Sequence, residues 1–312
     1  MATVIQGEVP KKPMADSTKK LYDRHIEKLL VALGLDTIPE QSVVDAWIES
    51  QPIVASSKKT YYTAILYKLG TASPKYEGFR VKMRTLGAEV DAKAKEQHTS
   101  LSEDAKWLCW EDILKARDAL KPEDSANYWK YQDWVICCLY TMLPPLRADY
   151  SPMRVYDKEP EEQNKGNYMV CRPITLQPPI KVKGGGRLVK KTPATIYIVL
   201  NEYKTAGKYG RQVIQVPPEL QTILFEFRII NPTEWLLVKE SGEPYDEVNL
   251  SQRVSRIMER ATGKAAGISI FRHSYETFML KGQMPLKKRE EIAKGLLHSS
   301  SMSELYRRVN KE

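Results

Sequence analysis

The sequence lacks any long hydrophobic run. No apolar stretch approaches the roughly 18 residues that a membrane-spanning helix requires. The amino-terminal residues have neither the apolar core nor the small-residue cleavage site of a secretory signal. Cysteine is also scarce, and its spacing includes no CxxC pair and no zinc-binding pattern. These absences predict a cytoplasmic or nuclear protein, not secreted, that has no membrane partner and keeps its thiols reduced.

Two further absences exclude cofactor-dependent classes. The triple glycine in IKVKGGGRLVKKTPA lacks the strand–GxxxxGK–helix context of a nucleotide-binding loop, which argues against ATP binding. No acidic cluster has the spacing of a metal site. We therefore expect neither a metal nor another cofactor.

The sequence does contain an excess of basic residues, 48 Lys and Arg against 39 Asp and Glu, for a net charge of +9. Such a balance favours polyanionic partners, because each phosphate neutralised by a basic side chain releases condensed counterions. With 312 residues, of which 42% are hydrophobic, the chain is long enough for two domains with separate cores.

The pattern of helix and strand signals predicts these two domains. Residues 1–14 are polar and aperiodic, as in a flexible arm, and residues 15–86 contain three stretches of helical periodicity. Residues 87–98 are predicted to be a linker. In residues 99–312, helical stretches flank three short β-branched runs, GNYMVCRPITL, TPATIYIVLNEYKT and RQVIQVP. The predicted fold is an all-α amino-terminal domain followed by an α+β domain with a small antiparallel sheet.

Four side chains in the middle of the second domain are candidates for chemistry. Arg147 follows a Pro-Pro turn, with Asp149 available to orient it, although an arginine here also suits a helix carboxyl terminus. Lys204 and Lys208 lie in the turn between two predicted strands, where lysine is often only an exposed charge. Arg272 is the second residue of FRHSYETFML, in which the Arg-His pair could simply cap a buried helix.

Two more candidates lie near the carboxyl terminus, in LLHSSSMSELYRRVNKE. His298 follows an apolar run, and Tyr306 comes eight residues later. Either residue taken alone would most simply be structural.

The order of these residues resembles that of the tyrosine recombinases, or phage-type integrases. LRADY resembles the first arginine box of the family, YKTAGKYGRQVIQVP its lysine hairpin, and SIFRHSYETF its second arginine box. LLHSSSMSELYRRV resembles the histidine and nucleophile segments. The resemblance covers residues 99–312, and residues 15–86 match the family's DNA-clamping domain only in kind. It implies a site-specific enzyme that cleaves and rejoins DNA through a covalent 3′-phosphotyrosine.

The resemblance also assigns roles that suit the residue types. Tyr306 would attack the phosphorus, while Arg147 and Arg272 would bind the two non-bridging oxygens. Lys204, with Lys208 as the alternative, would protonate the leaving 5′ oxygen. His298 would donate a hydrogen bond to the phosphate or assist proton transfer, and His273 would support the site.

The sequence departs from the family pattern at Ser269, where the second box usually has a histidine three residues before its arginine. Serine is a poor base at neutral pH, so this departure leaves open a catalytically impaired DNA-binding relative. A type IB topoisomerase, which shares the chemistry, is also an alternative. Only six residues follow Tyr306, too few for the helix that many relatives exchange between protomers.

The expected partner is double-stranded DNA, on which the resemblance implies a homo-oligomer, a dimer or a tetramer. A virus or another mobile element is the expected setting. The predicted contacts to the DNA backbone are basic residues of the first domain and of the glycine-containing loop: Lys58, Lys59, Lys181, Lys183, Arg187, Lys190 and Lys191.

Overall fold

The computed structural model describes residues 14–124, 126–163, 165–172, 175–176, 180–181, 187–188, 191–192, 195–282 and 284–311. The side chains of residues 175–192 within these ranges are not described. The predicted arm therefore lies almost entirely outside the described residues. The chain divides into two compact units, residues 1–96 and 97–312, which are described separately below.

The described residues of the first unit form four helices: α1 (Asp16–Leu33), α2 (Gln41–Ser50), α3 (Ala55–Leu69) and α4 (Tyr76–Lys95). Its core contains Leu29, Ile48, Ile65 and Phe79, all fully buried. The fourth helix was not predicted from the sequence, and it occupies most of the segment 87–98 that we expected to be a linker.

The second unit begins with three helices, α5 (Leu101–Asp104), α6 (Trp110–Ala119) and α7 (Tyr128–Thr141). Helix α7 lies at the centre of the core, since every residue from 131 to 140 is buried. A helix that is buried on all sides needs apolar residues around its whole circumference, and WVICCLY supplies them. The helix ends just before Pro144 and Pro145, because proline disfavours helical conformation in the preceding residue.

The sheet of this unit has four strands in the order β1–β2–β7–β8: β1 (Arg154–Tyr156), β2 (Tyr168–Arg172), β7 (Thr195–Leu200) and β8 (Gln212–Gln215). The three predicted strands β2, β7 and β8 pair antiparallel. The prediction of a purely antiparallel sheet was wrong, because β1 adds to the edge in parallel with β2. Parallel strands start at the same end of a sheet, so the connection 157–167 must bring the chain back to the end at which β1 started before β2 begins.

Between β2 and β7 the chain forms two small antiparallel pairs, β3 (Thr175–Leu176) with β6 (Lys191–Thr192) and β4 (Ile180–Lys181) with β5 (Arg187–Leu188). The remaining elements are α8 (Ala206–Tyr209), α9 (Pro218–Ile230), α10 (Glu247–Thr262), α11 (Ile268–Met279), α12 (Leu286–Gly295), α13 (Ser300–Tyr306) and a final 3-10 turn, Val309–Lys311. None of the described helices is long and apolar enough to cross a membrane.

Candidate active site

A pocket of about 540 Å³ in the second unit brings together five of the predicted site residues. They come from four different elements: the turn after α7, the β7–β8 connection, helix α11 and the end of α13. These five are Arg147, Lys204, Ser269, Arg272 and Tyr306, and the other lining residues include one carboxylate, Glu247. Residues up to 159 positions apart in the sequence thus face one concave surface.

Arg272 projects from α11 and is 2% exposed. Its Nη1 donates to the carbonyl oxygen of Pro145 at 2.5 Å, and its Nη2 donates to that of Leu296 at 3.1 Å. Its Nε–H has no hydrogen-bond partner among the described residues. Burial lowers the pKa of Arg272, and the nearby charge of Arg147 lowers it further. A rigidly held cation with unused N–H donors is suited to binding an anion.

Arg147 is held through its backbone. Its N–H donates to Oδ2 of Asp149 at 3.0 Å, and its carbonyl oxygen accepts from the hydroxyl of Tyr140 at 2.8 Å. Asp149 therefore fixes the turn through the main chain of Arg147, whereas the sequence suggested that it orients the side chain. Burial raises the pKa of Asp149.

The β7–β8 connection carries both candidate lysines, which are exposed. Lys204 precedes the single helical turn α8 and lines the pocket, whereas Lys208 lies within α8, with its ammonium 5.2 Å from the ring centre of Tyr209. The Thr205 hydroxyl donates to the carbonyl oxygen of Leu297 at 2.7 Å. This bond holds the β7–β8 connection next to Leu297, the residue before His298.

Three side chains surround the ring of Tyr306. His273 stacks on it with ring centres 4.5 Å apart, and His298 meets it edge-on at 5.2 Å. The Arg272 guanidinium lies 5.5 Å from the ring centre. The Tyr306 hydroxyl has no recorded hydrogen-bond partner in the part of the chain that the structure describes. The ring is therefore held in place while its oxygen stays available to a ligand.

Both nitrogens of His273 have partners. Nδ1 donates to the Tyr306 carbonyl oxygen at 2.7 Å, and Nε2 accepts from Nη2 of Arg308 at 3.4 Å. Burial, followed by the charge of Arg308, lowers the pKa of His273 to about 4. The ring is therefore neutral at physiological pH and positions the backbone of Tyr306.

His298 lies where the chain turns from α12 into α13. The preceding residue, Leu297, has a φ of 56°, in the left-handed region that favours glycine, and the His298 N–H donates to the Ala293 carbonyl oxygen at 3.1 Å. A non-glycine residue in this conformation costs about 1–3 kcal/mol. The strained turn directs the His298 ring into the protein, where the residue is 5% exposed.

Sequence reasoning missed two charged residues that contact this site. Glu276, on α11, is fully buried with its Oε1 2.7 Å from Nε2 of His298. Arg308 pairs with Glu103 at 2.9 Å and contacts the last carbonyl groups of α13. The only sequence signal for Glu276 was a lone carboxylate within the otherwise apolar run YETFML.

Ser269 is exposed in the first turn of α11, one helical turn before Arg272. It lines the pocket at the position where the family pattern has histidine. The structure does not test a role for Ser269, but it shows that a ligand in the pocket could reach the Ser269 hydroxyl.

None of the predicted DNA contacts is among the residues that line this pocket, and several lie outside the described side chains. Lys58 pairs with Glu49 and is 18% exposed at its side chain, and Lys59 is half-buried. For Lys181, Arg187 and Lys191 only the backbone is described, while Lys183 and Lys190 lie outside the described residues. No group of three or more His, Cys, Asp or Glu within the described ranges could hold a metal ion.

Comparison with known proteins gives solved structures only, since no protein-family profile and no curated protein matches this chain. XerA recombinase is similar over 95% of this chain and 89% of its own, with 12% identity and a TM-score of 0.40. XerH site-specific recombinase, in a pre-cleavage complex with its difH substrate, is similar over 83% of this chain and 71% of its own, with 15% identity and a TM-score of 0.37. Both TM-scores are below 0.5, so the case for function depends on the site residues themselves.

Proposed function

We propose that this protein is a site-specific DNA recombinase or integrase that cleaves and rejoins duplex DNA through a 3′-phosphotyrosine at Tyr306. The observation that supports the proposal is the pocket that Arg147, Lys204 and Arg272 line together with Tyr306. Three cations around one hydroxyl nucleophile suit attack on a phosphodiester, whose negative charge increases in the transition state.

In the proposed reaction, the Tyr306 oxygen forms a bond to phosphorus as the bond from phosphorus to the 5′ oxygen breaks. Arg147 and Arg272 bind the non-bridging oxygens through their planar N–H donors. Lys204 donates a proton to the departing 5′ oxygen, and the Tyr306 proton passes to solvent or to a neighbouring base. Rejoining is the reverse reaction with the 5′ hydroxyl of a partner strand, so neither ATP nor a metal enters the scheme.

The proposal extends to the partner and the setting. The substrate is double-stranded DNA, on which two or four copies assemble, and the protein serves a virus or another mobile element. Lys204 is the general acid in preference to Lys208, because only Lys204 lines the pocket.

Ser269 favours one further candidate, a relative that binds DNA but cleaves it poorly. An exposed serine one turn before Arg272 can donate to a phosphate oxygen, but it does not accept a proton at neutral pH. In such a protein the same pocket would hold a phosphate without breaking it.

The test uses nicked suicide duplexes that together cover the DNA flanking the gene. Wild-type protein is expected to form a covalent adduct that denaturing gels resolve, whereas Tyr306→Phe forms none and still binds the same duplex. Tyr209→Phe is the matched control and is expected to retain the adduct. Specific binding by wild type without any adduct would select the binding-only candidate, and relaxation of supercoiled DNA without a sequence requirement would indicate a topoisomerase instead.

A further inference from the structure

A buried acid–histidine pair, Glu276 and His298, lies next to the ring of Tyr306. Glu276 on α11 is 0% exposed and His298 is 5% exposed. Oε1 of Glu276 lies 2.7 Å from Nε2 of His298 and accepts a 2.7 Å hydrogen bond from the Ser303 hydroxyl. The N–H direction is not aligned for a hydrogen bond to Oε1, but charge attraction at this distance does not require alignment.

The carboxylate needs a cation in this environment, because an unpaired buried charge is very costly. Arg272, one turn earlier on α11, gives its hydrogen bonds to two carbonyl oxygens and does not pair with Glu276. Within the described residues, His298 is the only side chain in ion-pair contact with Glu276. Burial raises the pKa of Glu276, which favours keeping a proton within the pair.

The position of that proton determines what the other imidazole nitrogen can do. At 2.7 Å, unshared electron pairs on nitrogen and oxygen would repel, so either Nε2 or Oε1 carries a hydrogen. A pair with no net charge then leaves a second hydrogen on Nδ1, whether the first belongs to His298 or to Glu276. Nδ1 is buried and has no hydrogen-bond partner among the described residues.

His298 is also distinguished from the other histidine at Tyr306. Both nitrogens of His273 have partners, and its pKa of about 4 keeps it neutral. Ser269 provides no imidazole at all. Of the described side chains in contact with the Tyr306 ring, His298 is therefore the one whose imidazole retains an unused donor.

We propose that Glu276 is a positioning residue for His298: it holds Nε2 and balances the charge of the ring, so that Nδ1–H donates to the phosphate attacked by Tyr306. This inference rests on the proposed function, because it assumes a phosphate at Tyr306. Glu276 itself does not touch the DNA.

The first measurement is independent of activity. The full chain labelled with ¹⁵N-histidine has four histidines, and the His298 signals are identified by their loss in His298→Gln. We expect Nδ1 of His298 to carry a hydrogen in wild type and to lose it in Glu276→Gln, because a neutral ring has one hydrogen and the carboxamide oxygen would hold it on Nε2. Glu304→Gln, which removes an α13 carboxylate paired with Arg289, should leave the hydrogen on Nδ1.

The second measurement is adduct formation on the nicked duplex. The rate at pH 7.5 should fall about tenfold or more in Glu276→Gln. Combining Glu276→Gln with His298→Gln should be no slower than His298→Gln alone, because Glu276 acts through His298.

The outcomes separate the two proposals. An Nδ1 that keeps its hydrogen in Glu276→Gln, additive losses in the double variant, or an Nδ1 without hydrogen in wild type would each overturn the role of Glu276. The wild-type spectrum decides the matter if Glu276→Gln does not fold. The expected Nδ1 signals in a protein whose wild type forms no adduct on any duplex would overturn the proposed function, and with it the catalytic use of the pair.

Discussion

The attachment of the Tyr306 helix to the rest of its unit depends on a half-buried ion pair that can be removed cleanly. Arg308 pairs with Glu103 at 2.9 Å, and the two side chains are 13% and 15% exposed. Nη1 of Arg308 also donates to the carbonyl oxygen of Leu305 at 2.7 Å and to that of Tyr306 at 3.2 Å. We therefore expect Arg308→Ala to destabilise the docked position of α13 while leaving the pocket residues intact.

The magnitude follows from the bond that is lost. A hydrogen bond between charged, half-buried groups contributes about 1.5–3 kcal/mol, whereas the freed carbonyls at the end of α13 can bind water. Since about 1.4 kcal/mol corresponds to a factor of ten, local opening of α13 should become about 10- to 100-fold more frequent. Hydrogen–deuterium exchange of the amides of residues 303–306 measures this directly.

The comparison variant is Glu304→Gln, which removes the α13 pair with Arg289. Those side chains are 31% and 35% exposed, and a pair so accessible to solvent contributes about 1 kcal/mol or less. Its effect on exchange should therefore be about fivefold or less. If Arg308→Ala and Glu103→Gln both left α13 exchange at the wild-type rate, the ion pair would not hold the helix and this reasoning would be refuted.

Two further predictions concern the residues beside Arg272. Ser269→His is expected to speed adduct formation about tenfold or more at pH 7.5, because a positioned base contributes about 10²–10⁴-fold; an unchanged rate on the nicked duplex would contradict a missing base. The pKa of His273 is about 4 in the folded protein and about 6.5 in the unfolded chain. The contribution of His273 to the free energy of unfolding is therefore fully present above pH 6.5 and is lost as the pH falls towards 4. Urea unfolding should show a loss of up to about 3 kcal/mol, and His273→Gln should lack this part of the pH dependence.

The elements predicted from sequence were those whose local pattern matches their final surroundings. Strands β2 and β7 are mostly buried, β7 is rich in β-branched residues, and helix α7 contains the continuous apolar run WVICCLY, so periodicity and composition suffice. Strand β1, in contrast, has three residues and pairs in parallel at a sheet edge, which tertiary contacts decide. Helix α4 buries only Phe79 and Gly87, and charged residues interrupt its apolar ones, so its pattern resembles a linker.

The pocket could be predicted only in part for a related reason. The order of Arg147, Lys204, Arg272 and Tyr306 along the chain suggested a common site, but nothing in that order states a distance. The sequence favoured Lys204 over Lys208 only through the resemblance, and it did not show that Lys208 lies within the short helix α8 while Lys204 precedes it. Glu276 could not be recognised, because a lone carboxylate on a helix usually faces solvent and only the packing of α13 covers it.

The contacts of the carboxyl-terminal residues bear on how many copies the proposed chemistry requires. The Val309 N–H donates to the Gln97 carbonyl oxygen, Asn310 bonds to Thr99, and Lys311 pairs with Asp104 at 2.6 Å. Tyr306 is thus held against its own unit on both sides, by the rings that contact it and by the residues after it. Under the proposed function, each copy would therefore cleave with its own Tyr306. A second copy would be needed to hold the partner strand, but it would not contribute a residue to the pocket.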